Sequence, residues 1–194
     1  MAEKNRIYLD SCCFIDAAKQ ATGILPTERD SDAWHIRQIL EAHKDQELIA
    51  FTSVLTITEC THAEGNIDAR VQGLFTRLLS SGQYINLVQP TPFIAIDGRD
   101  LRWKHGINLS GADYLHVASG LAVKCAEFLT TDGTAGSGKS IIGNASKIEA
   151  LGMRVVTPAR TLLLPDRYKQ GDMLKDEKVT ELRRGRPAGP QRSA

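Results

Sequence analysis

No apolar run in this 194-residue chain approaches the roughly 20 residues needed to cross a bilayer, so no helical membrane span is expected. Cys-x-x-Cys spacing is absent. The four cysteines, Cys12, Cys13, Cys60 and Cys125, sit in apolar segments, which argues against a zinc ribbon or dithiol redox centre and for buried, reduced thiols. No large excess of one charge exists either: 24 Lys/Arg face 23 Asp/Glu, a formal net charge of +1. The first residues run straight into a strand-like segment without a leader pattern, so the cytoplasm is the expected location. What is present, 42% hydrophobic and 24% charged residues, suits one globular domain with its own core.

Charge is unevenly placed. Residues 166–194 carry eight Lys/Arg and five Asp/Glu (+3), leaving 16 and 18 (−2) for the rest. The end, with Arg183, Arg184, Arg186 and Arg192 among Gly and Pro and no acid, reads as a flexible basic tail that could attract nucleic acid or simply be solvated. A domain over 1–165 followed by this tail is expected.

Five short runs rich in branched and aromatic residues predict strands at Arg6–Leu9, Leu48–Thr52, Tyr84–Val88, Glu127–Thr131 and Arg154–Thr157. Helical spacing predicts helices over Asp32–His43 (with Ser31 as cap), Ser53–Glu64, Ala69–Leu79, Pro92–His105 (broken near Gly98), Ser110–Lys124 and Ile141–Leu151. Ala17–Asp30 reads as a loop. Strands alternating with helices predict an α/β fold, a mainly parallel five-stranded sheet between two helical layers.

Four acids occupy compatible addresses on this layout. Asp10 and Asp132 close strands, Asp113 opens the strongest helix and Glu59 lies in the helix after the second strand. Carboxyl ends of parallel strands line the edge where ligands bind. Carboxylates gathered there repel one another unless a cation holds them, and all-oxygen donors suit Mg²⁺ or Mn²⁺. Any single Asp is more often a cap or turn residue; the set of four favours a shared site. Asp16, Asp97 and Asp100 read as surface residues.

The segments Ile7-Tyr8-Leu9-Asp10-Ser11, Ser53-Val54-Leu55-Thr56-Ile57-Thr58-Glu59, Gly111-Ala112-Asp113-Tyr114-Leu115-His116-Val117-Ala118 and Leu129-Thr130-Thr131-Asp132 resemble, in order and spacing, the four motifs of the PIN-domain family. The resemblance spans roughly residues 6–158. It implies a compact α/β/α nuclease with a Mg²⁺ or Mn²⁺ site formed by Asp10, Glu59, Asp113 and Asp132. Ser11 and Thr131 would be hydroxyl neighbours. RNA is the usual substrate, and many bacterial members are ribonuclease toxins, so an antitoxin partner and a homodimer are among the implied partners. One departure is Cys12, where the family often has Asn; a soft thiol is a poor partner for Mg²⁺. The chain is also longer than the small toxins. Metal-held carboxylates can activate water and stabilise the leaving oxyanion in phosphodiester hydrolysis.

Two alternatives stand beside this one. Gly133–Ser140 satisfies the P-loop pattern G-x-x-x-x-G-K-[ST], in which Lys139 would contact the nucleotide's β/γ-phosphates and Ser140 would bind Mg²⁺. The strand at Arg154–Thr157 lacks an acidic end, however, and that reading leaves the other acids unexplained. In an intermediate version Lys139 borders the nuclease site and holds an RNA phosphate. The second alternative is a catalytically inactive PIN-like module that binds RNA or protein. His116 and His62, three residues after Asp113 and Glu59, read as core or supporting residues. Arg99, Arg102, Lys104 and His105 could guide phosphates or form a solvated face. Trp34 and Trp103 could stack bases, though packing is the expected role.

Overall fold

The computed structural model describes residues 4–169, apart from 64, 66, 68, 81 and 134–137. Five parallel strands, β1 (Arg6–Leu9), β2 (Ile49–Ser53), β3 (Asn86–Val88), β4 (Glu127–Leu129) and β5 (Arg154–Val156), form one sheet in the order β3-β2-β1-β4-β5. The helices are α1 (Ser11–Thr22), α2 (Asp30–Lys44), α3 (Leu55–Glu59), α4 (Ala69–Ser80), α5 (Pro92–His105), α6 (Gly111–Ala122), α7 (Ala145–Glu149) and α8 (Asp166–Lys169). No described helix is long and apolar enough to cross a membrane.

Strand alternation divides the core into two layers. Ile7 and Leu9 of β1 face a cluster with Phe14 of α1, Ile36 and Ile39 of α2 and Leu78 and Leu79 of α4. Tyr8, between them, points the other way with Phe128 and Val155, into a cluster built by Leu101 of α5, Val117 and Ala118 of α6 and Ile148 of α7. The sheet is therefore covered on both faces, the three-layer α/β/α arrangement that uninterrupted apolar strands require.

The strand positions follow the expectation to within a few residues; the helices differ more. Ala17–Asp30 is not a loop. Asp10 caps α1, accepting the Ser11 amide at 2.8 Å, and the helix runs to Gly23, whose φ of +76° ends it. Cys13, Phe14, Ala17 and Ala18 form its buried face, and a 3₁₀ turn at Thr27–Arg29 leads into α2. Asp30 rather than Ser31 opens α2, without a side-chain cap. Ser53 ends β2, although its hydroxyl accepts the Leu55 amide, and α3 is only five residues long before Cys60 leaves helical geometry. The helix expected over Ile141–Leu151 is a 3₁₀ turn at Ile142–Asn144 followed by α7. The described fold continues past Pro165 into α8, where Tyr168 donates to Asp45 at 2.7 Å; the basic tail from 170 lies outside the described residues.

Helix α5 is unbroken at Gly98. That residue lets α5 approach α6 closely, since a Cβ there would stand 3.2 Å from the Tyr114 carbonyl oxygen. Gly98→Ala is expected to lower stability by about 1 kcal/mol despite the better helix former, because the obstructing atom is backbone. An unfolding midpoint in urea at or above wild type would contradict this. Trp103 is not packed: it is 71% exposed, with the Arg99 guanidinium 4.3 Å from its ring centroid, whereas Trp34 is buried.

Candidate active site

The strand order reverses between β1 and β4, the place where open parallel sheets generally bind ligands. Asp10 and the Thr130–Asp132 segment stand there, at the carboxyl ends of those two strands, with the Asp10 amide continuing the ladder to Leu129 O at 3.0 Å. Asp10 is 5% exposed. One carboxylate oxygen accepts the Ser11 amide and the other the Thr130 hydroxyl, each at 2.8 Å, and the Cys12 thiol lies 3.5 Å from the latter. Burial pushes the Asp10 pKa up, and the Asp113 carboxylate adds to the rise; His116 and the two hydrogen bonds only partly oppose it. A buried carboxylate with a second acid nearby is a position suited to a cation.

Glu59 ends α3. Its Oε2 accepts His116 Nε2 at 2.8 Å. The His116 hydrogen bond holds the Glu59 carboxyl below its ordinary pKa, against the opposing effect of burial. For His116, burial acts downward, but the Glu59 bond and the charges of Asp10, Glu59 and Asp113 outweigh it, so the imidazole is raised. Asp113, in the first turn of α6, accepts the Ser110 hydroxyl and is half-buried. Ser110 thus occupies the helix cap position but spends its side chain on Asp113 instead of a backbone amide. The loop that delivers α6 is held by buried Asn144, which accepts the Asn108 amide and donates to the Asn108 and Ser140 carbonyls.

The fold therefore brings Asp10, Glu59 and Asp113 into one electrostatic neighbourhood around His116. Asp132 is joined through its backbone: Thr130 Oγ1, which donates to Asp10, accepts the Asp132 amide at 3.1 Å, while the Asp132 side chain stands in solvent. Among the described residues no three His, Cys, Asp or Glu side chains converge into a preformed metal cage. The donor chemistry nevertheless fits a hard divalent ion: Asp10, Asp113 and Glu59 carry carboxylate oxygens around His116, and Asp132 follows Thr130, which bonds Asp10.

Ser11 follows Asp10, and its amide bonds the Asp10 carboxylate. Thr131 is otherwise engaged. Its hydroxyl donates to Asp16 at 2.7 Å and its carbonyl accepts Arg29, which also pairs with Asp16 at 3.2 Å. Asp16, expected at the surface, is 1% exposed and clamps the end of β4 to α1; it faces inward because α1 extends through it. Its pKa is raised by burial despite Thr131 and Arg29. Asp97 is exposed and Asp100 pairs with Arg99 and Lys104, as surface acids do. His62 is exposed, accepting the Gly65 amide, so it is neither core nor support. His116 is the site residue that sequence reasoning undervalued; its three-residue offset from Asp113 was the available signal.

Lys139 is exposed, and residues 134–137 of the P-loop-like segment lie outside the described residues. Gly133, at φ +96°, packs so tightly on Ser140 that a Cβ would sit 2.5 Å from the serine Cβ. Ser140 opens no long helix: the 3₁₀ turn and the five-residue α7 that follow supply little of the aligned dipole a nucleotide P-loop uses. A fluorescent ATP analogue is expected to show no tight Mg²⁺-dependent binding. Tight binding lost in Lys139→Ala would restore the nucleotide reading.

No protein-family model matches the chain, and no curated protein matches it significantly.

Proposed function

We propose that this protein is a divalent-metal-dependent nuclease that hydrolyses RNA phosphodiester bonds, with the PIN-like motifs forming its active site. The observation that carries the reading is Asp10: a nearly inaccessible carboxylate at the sheet's reversal point, neighboured by Asp113 and Glu59. Asp10 and Asp113 would hold a Mg²⁺ or Mn²⁺ ion, Glu59 would hold it or orient water, and Asp132 would meet the substrate side of the crevice. The ion supplies Lewis acidity and lowers the pKa of bound water. The chain's own contribution is to keep Asp10 fixed through Ser11 and Thr130 and Glu59 fixed through His116.

Cleavage of single-stranded RNA is expected with Mg²⁺ or Mn²⁺ and is expected to vanish with EDTA. Activity undiminished by chelation would refute the metal dependence. Metal that binds only the folded state also stabilises it, so millimolar Mn²⁺ is expected to raise the thermal midpoint of wild type. No shift would favour an inactive PIN-like binding module. The narrower role of a toxin restrained by an antitoxin predicts growth arrest on expression of wild type but not of Asp10→Asn.

A further inference from the structure

Buried hydrogen bonds reach both ends of α3 from the centre of the molecule. Thr56 of α3 meets Thr52 of β2 at 2.7 Å between hydroxyl oxygens. On β1, which pairs with β2, the Tyr8 phenol is fully buried. Tyr8 OH lies 2.8 Å from His116 Nδ1 on α6, and His116 Nε2 lies 2.8 Å from Glu59 Oε2, back on α3. Thr56, Thr52 and Tyr8 are 0% exposed and His116 is 1% exposed, so water does not compete for these bonds.

The directions can be assigned by counting protons. His116 Nε2 faces the Glu59 carboxylate, which can only accept, so the neutral ring's proton sits on Nε2 and the Tyr8 hydroxyl donates to Nδ1. An accepting nitrogen carries no proton, so the neutral ring carries its proton on Nε2 and donates it to Glu59. When the ring is charged, Nε2 still donates to Glu59 and the Tyr8 hydroxyl turns its proton away from Nδ1. Glu59 therefore receives the same donor in either state. Packing supports the arrangement: the Tyr8 ring stacks on Phe128 at 4.9 Å and meets the imidazole edge-on at 6.0 Å. Gly120 leaves room for that ring, since a Cβ there would be 3.3 Å from Tyr8 Cγ.

We propose that Tyr8 and His116 are positioning residues for Glu59: the chain Tyr8→His116→Glu59 holds the carboxylate at the end of a short, one-turn helix that could not orient it alone. The proposal rests on the nuclease reading for its kinetic consequence, but its structural content is independent of any activity. Five-residue α3 has few bonds of its own, and its last residue precedes the break at Cys60. Orientation must come from outside the helix, and the buried imidazole supplies it.

The test has a spectroscopic and a kinetic arm. Nitrogen-15 spectra of the metal-free wild type, recorded at increasing pH until the His116 signals stop shifting so that the ring is neutral, are expected to show His116 protonated at Nε2 and bare at Nδ1. Tyr8→Phe is expected to erode that preference, and His116→Leu to move the Glu59 carboxyl carbon signal. A proton on Nδ1, or an unmoved Glu59 signal, would overturn the proposal whether or not the protein cleaves RNA. In the kinetic arm His116→Leu is expected to lower kcat roughly 10–100-fold, the usual cost of removing a supporting partner, with KM nearly unchanged. His116→Gln, which can still offer an amide donor to Glu59, is expected to recover part of that loss. His116→Leu on a Glu59→Gln background is expected to add little. Wild-type cleavage with His116→Leu as active as wild type refutes positioning; a wild type that never cleaves refutes the nuclease reading instead.

Discussion

Asp10→Asn is expected to reduce metal-dependent RNA cleavage by roughly 10³-fold, the loss that follows when about 4 kcal/mol of metal-borne transition-state stabilisation is removed. The same substitution is expected to raise the thermal midpoint of the metal-free protein at neutral pH. Burial raises the Asp10 pKa. An acid whose folded value lies above its unfolded value of about 3.9 favours folding most below that pH. It loses that contribution as pH rises through the folded value. At neutral pH the ionised carboxylate is therefore a burden on the empty site. Asparagine removes the charge, remains a good helix cap for α1 and can still meet Ser11 and Thr130. Gain of stability with loss of activity would mark Asp10 as a residue kept for chemistry. Cleavage by Asp10→Asn at the wild-type rate would refute its catalytic role. A lowered midpoint would show that the carboxylate's hydrogen bonds outweigh its desolvation.

Glu127→Ala is expected to lower folding stability by about 3 kcal/mol, without touching the crevice. Glu127 is 2% exposed and lies on β4 opposite Arg154 of β5. Its carboxylate pairs with Arg154 and accepts both the Thr161 hydroxyl and, at 3.1 Å, the Leu162 amide. Arg154 reaches solvent, so its share is screened. Most of the loss comes from stranding the buried Thr161 hydroxyl, about 1–3 kcal/mol when left unpaired, and from releasing the Leu162 segment, whose exposed amide can turn to water. These bonds hold the segment that carries Leu164 into the core beneath α2. The thermal midpoint is expected to fall by roughly 10 °C. Glu127→Gln, which keeps an acceptor, is expected to lose less. A Glu127→Ala protein within 1 kcal/mol of wild type in urea unfolding would show that the segment is held by Leu164 packing alone.

Strands were legible because a buried parallel strand is an unbroken apolar run bounded by polar residues, as Ile7-Tyr8-Leu9 and Glu127-Phe128-Leu129 show. Helix limits were less so. The Ala-rich continuation of α1 lacks the long apolar side chains that announce a face, yet Ala17 and Ala18 are buried because small residues let α1 sit close to its neighbours. Gly98 looked like a breaker by propensity, but its role is set by the Tyr114 carbonyl across the helix pair.

Sequence order alone determined the alternation of strands and helices, and with it the placing of Asp10 at one strand end and Asp113 at one helix start, since those addresses depend on local periodicity. Only the tertiary structure decided what each polar side chain does. Asp16 turned inward to Thr131 and Arg29, Ser110 turned to Asp113, and His116 joined Tyr8 on one side and Glu59 on the other. Such pairings link residues up to 115 positions apart. They form because a buried donor or acceptor must find a partner wherever packing places one, and no short-range pattern records that choice.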